Sequence, residues 1–520
     1  LQSGACVTRF APSPTGFVTI GSLYATFISE RLAHQSGGVF YLRIEDTDKK
    51  REVEGSLADM LRTMREFGIV IDEGPSSPEE EIGAYGPYTQ SKRVAIYQTF
   101  IKDLVARGLA YPCFCDAEEL QRIRDRQQEQ GVNTGYYGKW AIHRRMPLDQ
   151  VNEALDQGRP YVIRFQSPGQ AGRQCAYTDL VKGEIHMPEN EQDVVIMKSD
   201  GIPTYHFAHV IDDYLMGTTH VIRGDEWLSS VPIHHQLFEV LGFPKPAYGH
   251  IAPIMKMDGQ SKRKFSKRKD PDAAASYYQL AGYPSEAIRE YFMTLINAGF
   301  DGWRIAQPNE LYSSFPIDIR KMSVSGALFD LNKLNDISKD VIARMEAREA
   351  LDQLTAWAAQ YDQPLASLLA EQDNYAISIL NLGRASGKPR KDVKTWSDFK
   401  PGYGYLFDEL FVPTTAMAEL LPAHVPAAEA RALVHDFLHD FDAADDRDTW
   451  FGKIKALAAA RGYAAEMKQY KKQPDAYRGH VGDVAAVLRV ALTGKVHTPD
   501  LYDMLQIMGR ERIARRLAAF

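Results

Sequence analysis

The chain has 520 residues, with 61 Lys and Arg against 68 Asp and Glu, a formal net charge of −7. Hydrophobic residues make up 44% and charged residues 25%, which excludes a disordered or collagen-like chain and suits about three to four domains at roughly 150 residues each. The acidic balance excludes a uniformly basic nucleic-acid binder but not a local basic surface, and no run reaches the ~18 apolar residues of a membrane span.

In chain order, residues 6–11 read as a short buried strand. Pro12-Ser13-Pro14-Thr15-Gly16 must end it, because two prolines and a glycine cannot continue a ladder. A helix is expected from about Ser22, since Leu23/Phe27 and Ile28/Leu32 are spaced by four and stack on one face. Gly37-Gly38 closes that helix, and residues 39–44 read as a second buried strand. Strand, turn, helix, strand is a βαβ opening and argues for a parallel α/β sheet. Residues 92–190 change character, with a charged helical segment at 118–130 and a strand-like piece at 161–165, and read as an insertion. The buried-strand pattern returns at 194–197 and again at 220–223. Helix signals dominate beyond Asp272. Val484, Val487, Leu488 and Ala491 follow i, i+3, i+4, i+7, as do Leu501, Met504, Leu505 and Met508, so the last ~180 residues are expected to be helical.

The only cysteines are Cys6, Cys113, Cys115 and Cys175. That is no disulfide framework, so a reducing compartment, the cytoplasm, is expected. The opening LQSGACVTRFAPSPTG has no apolar h-region of a signal peptide, and Leu1 at the first position suggests a trimmed start.

Two segments carry candidate chemistry. The turn at 12–21 feeds a strand into a helix N-terminus, where free N–H groups and the positive dipole end suit a phosphate. A tight structural turn is the competing reading. Residues 256–269 hold Lys256, Lys262, Arg263, Lys264, Lys267, Arg268 and Lys269 against Asp258 alone. With Gly259, Ser261 and Ser266 interspersed, this reads either as a mobile loop closing over a polyphosphate or as a solvated basic loop.

Taken together, RFAPSPTGF at 9–17, LRIEDTD at 42–48, DGIPTYHFAHVIDDYLMG at 200–217, IRGDEW at 222–227, KFSKR at 264–268 and GDVAAVLRVALTG at 482–494 resemble, in order and spacing, the glutamyl-tRNA synthetases, class I aminoacyl-tRNA synthetases of bacterial type. The resemblance spans essentially the whole chain. It implies an α/β, Rossmann-like, doubly wound parallel sheet with an α+β insertion, plus an all-α C-terminal anticodon-binding half. The implied division is a split catalytic domain at 5–91 and 191–250, an inserted acceptor-stem-binding domain at 92–190, a stem-contact region with the KFSKR loop at 251–340, and helical anticodon-binding domains at 341–520.

The resemblance further implies a ligase that activates L-glutamate with ATP and Mg2+ and transfers it to tRNA(Glu). It places Arg223 on the substrate's side-chain carboxylate. Arg9, Ser13, Glu45, Tyr205 and His209 stand around the amino acid, with Glu45 suited to accept from its ammonium. Thr19, Gly21, Glu226, Trp227 and Lys267 fall on the ATP side. Thr19, Lys264, Ser266, Lys267 and Arg268 are the catalytic candidates, and the last four match the phosphate loop written K-M-S-K-S. A guanidinium facing the neutral amide of glutamine loses its charge pairing, so glutamate is favoured.

The sequence departs from the family pattern at three places. Thr19-Ile20-Gly21-Ser22 stands where H-I-G-H is usual, so a hydroxyl replaces the first imidazole. His209 replaces an Asn, and either a pH-responsive charge or plain packing follows. Cys113-x-Cys115 lies where some relatives hold zinc, but the second pair falls on Trp140 and Ile142, with His143 one residue off, so no structural zinc or other metal site is expected. For tRNA, Lys388, Arg390, Lys391 and Lys394 near Trp396 form one candidate cluster. Lys468, Lys471, Lys472 and Arg478, interleaved with Tyr470 and Tyr477, form another. No membrane partner and a monomer are expected. The residues leave two alternatives open: an enzyme that also charges tRNA(Gln), and a non-ligating tRNA-binding paralogue on account of Thr19.

Overall fold

The computed structural model describes residues 2–48, 53–266, 269–384, 387, 389–412, 419–518 and 520. The chain forms two compact units, Leu1–Gln279 with Ile288–Leu331, and Leu280–Ala287 with Asn332–Phe520.

The first unit opens with strand β1 (Val7–Phe10), helix α1 (Ile20–Gln35) and strand β2 (Val39–Leu42). β1 and β2 pair in parallel, Val7 opposite Val39. The helix starts two residues earlier than the apolar spacing alone suggests, because Thr19 is its N-cap. The Thr19 hydroxyl accepts from Ser22 N at 3.1 Å and the Ser22 hydroxyl accepts from Thr19 N at 2.9 Å, a reciprocal capping box. After helix α2 (Ser56–Glu66) and the short hairpin β3 (Gly74–Pro75) and β4 (Glu81–Ile82) comes the insertion. It holds α3 (Val94–Ala106), β5 (Ala110–Cys113), α4 (Ala117–Glu129), α5 (Leu148–Asp156), β6 (Val162–Phe165) and the hairpin β7 (Gln174–Asp179) and β8 (Gly183–Pro188).

The strand expected at 194–197 is present as β9 (Val195–Met197), but its partner is β6, antiparallel. It therefore completes the insertion's sheet rather than the parallel layer. Its Ile196 shares one apolar core with Ile163 and Phe165 of β6 and with Phe207 and Leu237. Helix α6 (Tyr205–Leu215), strand β10 (His220–Gly224), helix α7 (Val231–Leu241) and strand β11 (Ala247–Ile251) follow. β10 and β11 pair in parallel, with Arg223 opposite His250. Thr219 N donates to Val7 O at 3.0 Å and sets this second parallel pair against β1.

The basic segment is not a loop throughout. β12 (Met255–Asp258) and β13 (Ser261–Lys264) form a tight antiparallel hairpin, with Gly259 at its turn in the left-handed region (φ 62°).

The second unit is helical. Val484, Val487, Leu488 and Ala491 are buried on the helix Val481–Thr493, and Leu501, Met504, Leu505 and Met508 on the helix Leu501–Ala518. The last helix breaks at Gly509, whose φ of 72° is unhelical. Beyond the break, buried Arg516 donates to the Leu492 carbonyl at 3.0 Å, the Tyr405 carbonyl at 2.6 Å and the Asp408 carboxylate at 2.9 Å. An α/β half carrying an α+β insertion and an all-α half agree with the expected fold class. Among the described residues, no helix is long and apolar enough to cross a membrane.

The β1–β2 pair depends on a close backbone approach after α1. A Cβ on Gly38 would stand 1.8 Å from Cys6 O, so any side chain must push the strands apart. Gly38→Ala is expected to lower stability by about 1–3 kcal/mol, the usual range for overpacking. Urea denaturation of the purified chain measures it, and an unchanged midpoint would refute the close-approach argument.

Candidate active site

The carboxyl ends of β1, β2, β10 and β11 open into one cavity of about 1230 Å³, large enough for an amino acid and a nucleotide side by side. Its walls bring together Arg9, Ser13, Glu45, Tyr205 and Arg223 of the expected amino-acid site. Thr19, Gly21, Glu226 and Trp227 of the expected ATP side line it as well, and so does Lys264 of the catalytic candidates. Ser266 and His209 are not among its lining residues. Lys267 and Arg268 lie outside the described residues.

Arg223 is buried at the end of β10. Its Nε donates to His250 Nε2 at 3.0 Å, and its Nη1 donates to Tyr205 Oη at 3.1 Å and His234 Nδ1 at 3.3 Å. Its Nη2 donates to Trp227 O at 3.3 Å. Its guanidinium carbon lies 4.8 Å from the centre of the Tyr248 ring. All four hydrogen-bond partners are neutral. Burial holds the His250 imidazole below its usual pKa, with the nearby Arg223 charge working the same way, and does so more strongly for His234. Among the described residues, a full positive charge therefore sits at the cavity wall with no carboxylate in direct contact.

Behind that wall lies a buried charge cluster, of which the sequence reading assigned Arg9, Glu45 and His209 but not Arg43, Arg93, Asp212 or Asp213. Arg43 is fully buried and donates to Asp213 at 2.6 Å and Glu45 at 3.1 Å. Arg9 Nε donates to the same Asp213 at 3.3 Å. Arg93 holds Asp212 at 2.7 Å, with Tyr97 Oη also donating to it at 2.7 Å. Burial pushes the Glu45 carboxyl up, against the pull of Arg43 and Arg9. Burial also opposes ionisation of Asp213, but Arg9 and Arg43 outweigh it and hold that carboxyl well below the usual range. The signal available in the sequence was the alternation of Arg43 and Glu45 along a strand end, together with the Asp212-Asp213 pair in a helix.

His209 belongs to this cluster and not to the cavity surface. Its Nδ1 donates to Asp213 Oδ2 at 2.9 Å, its Nε2 accepts from Tyr248 Oη at 3.0 Å, and its ring stacks on Tyr205. Burial lowers its pKa to about 3, outweighing the pull of Asp213. The expectation of a pH-responsive charge is thus corrected: His209 is a neutral buried donor that backs Tyr205.

On the ATP side, Thr19 caps α1 and lines the cavity, with its hydroxyl 3.0 Å from that of Ser22. Beside it, a Cβ on Gly21 would meet only the Thr19 hydroxyl, at 3.9 Å. The protein's own packing leaves this space open at a helix N-terminus, where a phosphate fits. The seven-to-one charge count of the basic segment is corrected by the acids that follow it. Arg263 pairs with Asp270 at 2.6 Å and Asp258 at 2.8 Å, and Lys256 with Asp272 at 2.8 Å. Ser266 N also donates to Asp270 at 2.9 Å. Lys264, at the end of the hairpin, is the described cation of this segment that lines the cavity.

Elsewhere, the zinc argument from spacing is corrected in one respect. The turn after Ala141 brings His143 Nδ1 to 3.7 Å from Cys113 Sγ and 3.4 Å from Cys115 Sγ. Tyr136 Oη lies 3.4 and 3.5 Å from the two sulfurs. Cys113, Cys115 and His143 together can hold a soft divalent ion, one N/S donor short of the four a structural zinc normally takes. The hydrogen bond from Cys115 draws the Cys113 thiol down from its usual range.

Of the tRNA candidates, Arg390 pairs with Asp392 at 2.5 Å and Lys394 with Asp398 at 3.0 Å. Lys471 is exposed in the helix Met467–Lys472. Lys388 lies outside the described residues. Trp396 is buried in the helical core and offers no face to a base.

Strand ends that open on a nucleotide-sized cavity, in a chain whose other half is helical, fit the class I tRNA synthetases. The family described as "tRNA synthetases class I (E and Q), catalytic domain" matches residues 5–336, and "Anticodon binding domain" matches residues 349–520. The chain belongs to the class I tRNA synthetases of the E and Q type. It is 49% identical to a glutamate–tRNA ligase of Clostridium perfringens over 100% of this chain and 94% of that protein. It is 43% identical to one of Sorangium cellulosum over 100% of this chain and 95% of that protein. The crystal structure of a glutamate tRNA ligase from Elizabethkingia meningosepticum in complex with its amino acid superposes with a TM-score of 0.79 at 27% identity, covering 99% of this chain and 98% of that one.

His209 and His234 are fully buried, neutral and held well under their unfolded values. Each contributes stability that is present above its unfolded pKa and lost as pH falls toward its folded one. Stability is therefore expected to drop below pH ~6.5, with a limiting slope of about 1.4 kcal/mol per pH unit for each histidine. His34, raised to about 9 chiefly by its hydrogen bond to Glu30, acts above that window. Denaturant midpoints between pH ~6.5 and ~4.5 test this, and a flat profile would show that the two imidazoles are charged in the folded state.

Proposed function

We propose that the chain is a glutamate–tRNA ligase acting as a monomer in the cytoplasm. It joins L-glutamate to tRNA(Glu) with ATP, which enters as its magnesium complex. The observation that carries this reading is the buried Arg223, whose hydrogen-bond partners are all neutral and whose charge is left for an incoming carboxylate. Glutamate supplies that carboxylate at its side chain, and glutamine does not. The family and the named relatives support the same substrate.

In the first step an oxygen of the α-carboxylate attacks the α-phosphorus of ATP. The bond to the bridging oxygen of diphosphate breaks, and glutamyl-adenylate forms. In the second step a hydroxyl of the terminal ribose of tRNA attacks the glutamyl carbonyl, loses its proton, and AMP leaves. Arg223 and Tyr205 orient the side-chain carboxylate, while Glu45 accepts from the ammonium. Arg9 and Ser13 line the amino-acid side. His209 acts through Tyr205. The N-terminus of α1, with the Thr19 hydroxyl and the open space at Gly21, takes the phosphates. Lys264, Ser266, Lys267 and Arg268 neutralise charge building on them, and Glu226 and Trp227 flank the nucleotide. The insertion at 92–190 and the region at 251–340 would hold the acceptor stem against the split catalytic domain at 5–91 and 191–250. Residues 341–520, with Lys388, Arg390, Lys394 and Lys471, would bind the anticodon arm.

Charging purified tRNA(Glu) and tRNA(Gln) side by side with radiolabelled glutamate is the direct test. Glutamylation of tRNA(Glu) is expected, and its absence would leave a tRNA-binding paralogue. Arg223→Gln is expected to cut kcat/KM for glutamate by about 100- to 1000-fold, the cost of an unpaired buried carboxylate. A loss under tenfold would remove Arg223 from side-chain recognition. ATP–pyrophosphate exchange in the presence of tRNA tests Thr19: the wild type should exchange, and failure to do so while Thr19→His exchanges would mark the hydroxyl as inadequate.

A further inference from the structure

We propose that Asp179 and His250 are positioning residues for Arg223, which fix the direction of its guanidinium and thereby set affinity for the substrate's side-chain carboxylate. This rests on the reading of Arg223 given above and deepens it.

The three side chains form a line. Asp179 Oδ2 accepts from His250 Nδ1 at 2.6 Å, and His250 Nε2 accepts from Arg223 Nε at 3.0 Å. Asp179 and His250 are buried, at 1% and 0% exposure, so neither bond competes with water. The register makes the second contact obligatory: Arg223 and His250 are directly opposed in the parallel β10–β11 pair.

Asp179 is itself fixed. Its Oδ1 accepts from Val181 N and Lys182 N, both at 3.0 Å, and its Oδ2 accepts from His250 N at 3.1 Å. Leu180 N donates to Tyr248 O at 2.8 Å and ties the end of β7 to β11. Burial alone would raise the Asp179 carboxyl, but the hydrogen bond from His250 and the backbone N–H groups outweigh it and keep it ionised.

A carboxylate in this place fixes the tautomer. With its hydrogen on Nδ1, His250 can only accept at Nε2, which matches the Nε–H of Arg223. With the hydrogen on Nε2, two N–H groups would face each other. Since Nε is held from behind, Nη1 and Nη2 are directed to Tyr205 Oη and Trp227 O, on the cavity wall. A fork so held can meet a planar carboxylate with little rotamer entropy left to lose. Asp179 lies on the hairpin of the insertion, outside every motif that placed the other site residues.

The test is steady-state aminoacylation by the full chain, with KM for glutamate, KM for ATP and kcat measured separately, and folding followed by thermal melts. Asp179→Asn removes the charge that fixes the tautomer. His250→Asn keeps an amide near Nδ1 and abandons Arg223, whereas His250→Gln puts an amide oxygen near the place of Nε2. Asp179→Asn and His250→Asn are expected to raise KM for glutamate about tenfold or more, the loss of one hydrogen bond to a charged group. KM for ATP and kcat should stay within about threefold, and His250→Gln should recover most of the affinity. If folded Asp179→Asn and His250→Asn keep KM for glutamate within about twofold while Arg223→Gln raises it strongly, the proposal alone is overturned. If Arg223→Gln also leaves it unchanged, the assignment of Arg223 falls and the proposal with it. Equal rises in both KM values, with no rescue by His250→Gln, would make the pair merely structural and overturn the proposal too.

Discussion

The site depends on a set of buried charges that nearly cancel. Arg9, Arg43 and Arg93 face Glu45, Asp212 and Asp213, all of them buried, with Arg9 and Glu45 in the cavity wall and the others behind it. Such a cluster is weak as a source of stability, because each charge gives up its hydration. Breaking it by removal of one partner is expensive, about 3–5 kcal/mol, since the other partner stays buried and uncompensated. The cluster therefore acts mainly to hold position: β1, β2 and α6 meet in one register, and the ends of Arg9 and Glu45 arrive at the cavity already fixed. With three cations set against three carboxylates, Arg223 stands outside that balance, and the buried Asp179 carboxylate reaches it through His250. The charge of Arg223 is felt by its neighbours, since it contributes to the lowered pKa of His206, His209, His234 and His250.

The nucleotide side is arranged differently. It has backbone, a helix end and empty space where the amino-acid side has paired charge. Thr19 serves two ends at once, since it caps α1 and also lines the cavity. A histidine at that position would bring a longer donor and a possible positive charge, but a Thr at the N-cap sets the first turn of α1 more firmly. The hairpin β12–β13 plays a comparable double part. Asp270 and Asp272 draw Arg263 and Lys256 to the protein, which anchors the base of the segment. Lys264, on the same strand as Arg263, is thereby carried to the cavity.

The sequence made some of this legible and hid the rest for physical reasons. The βαβ opening could be read because four-residue spacings and paired glycines are local signals. The C-terminal helices were equally plain, and each of the eight apolar positions picked out there is buried. The pairing of β9 could not be read. A run of Val, Val, Ile and Met is a buried strand in either sheet, and the partner is chosen by contacts 30 residues away in sequence, at Ile163 and Arg164. The cavity residues that lie in motifs were found. Arg43, Asp213, Asp179 and His250 were not, because what distinguishes them is burial and mutual distance, which a charge count cannot carry. The count over the basic segment failed in the same way: it stopped one residue before Asp270. His143 looked misplaced by one position only because a linear offset ignores the turn that swings its ring back to the two thiols.

The net charge of −7 now has a structural meaning. Acids are not merely excluded from the basic segments; they are paired with them. Arg390 sits on Asp392, Lys391 on Asp340 and Lys394 on Asp398. Exposed or partly exposed pairs of this kind are worth only about 0–1 kcal/mol each, so a phosphate can displace the carboxylate at small cost. A scattered or weakly charged ligand gains little by that exchange. A folded RNA presents many phosphates at fixed spacing, and releases condensed counterions at each contact, so it gains at every pair together.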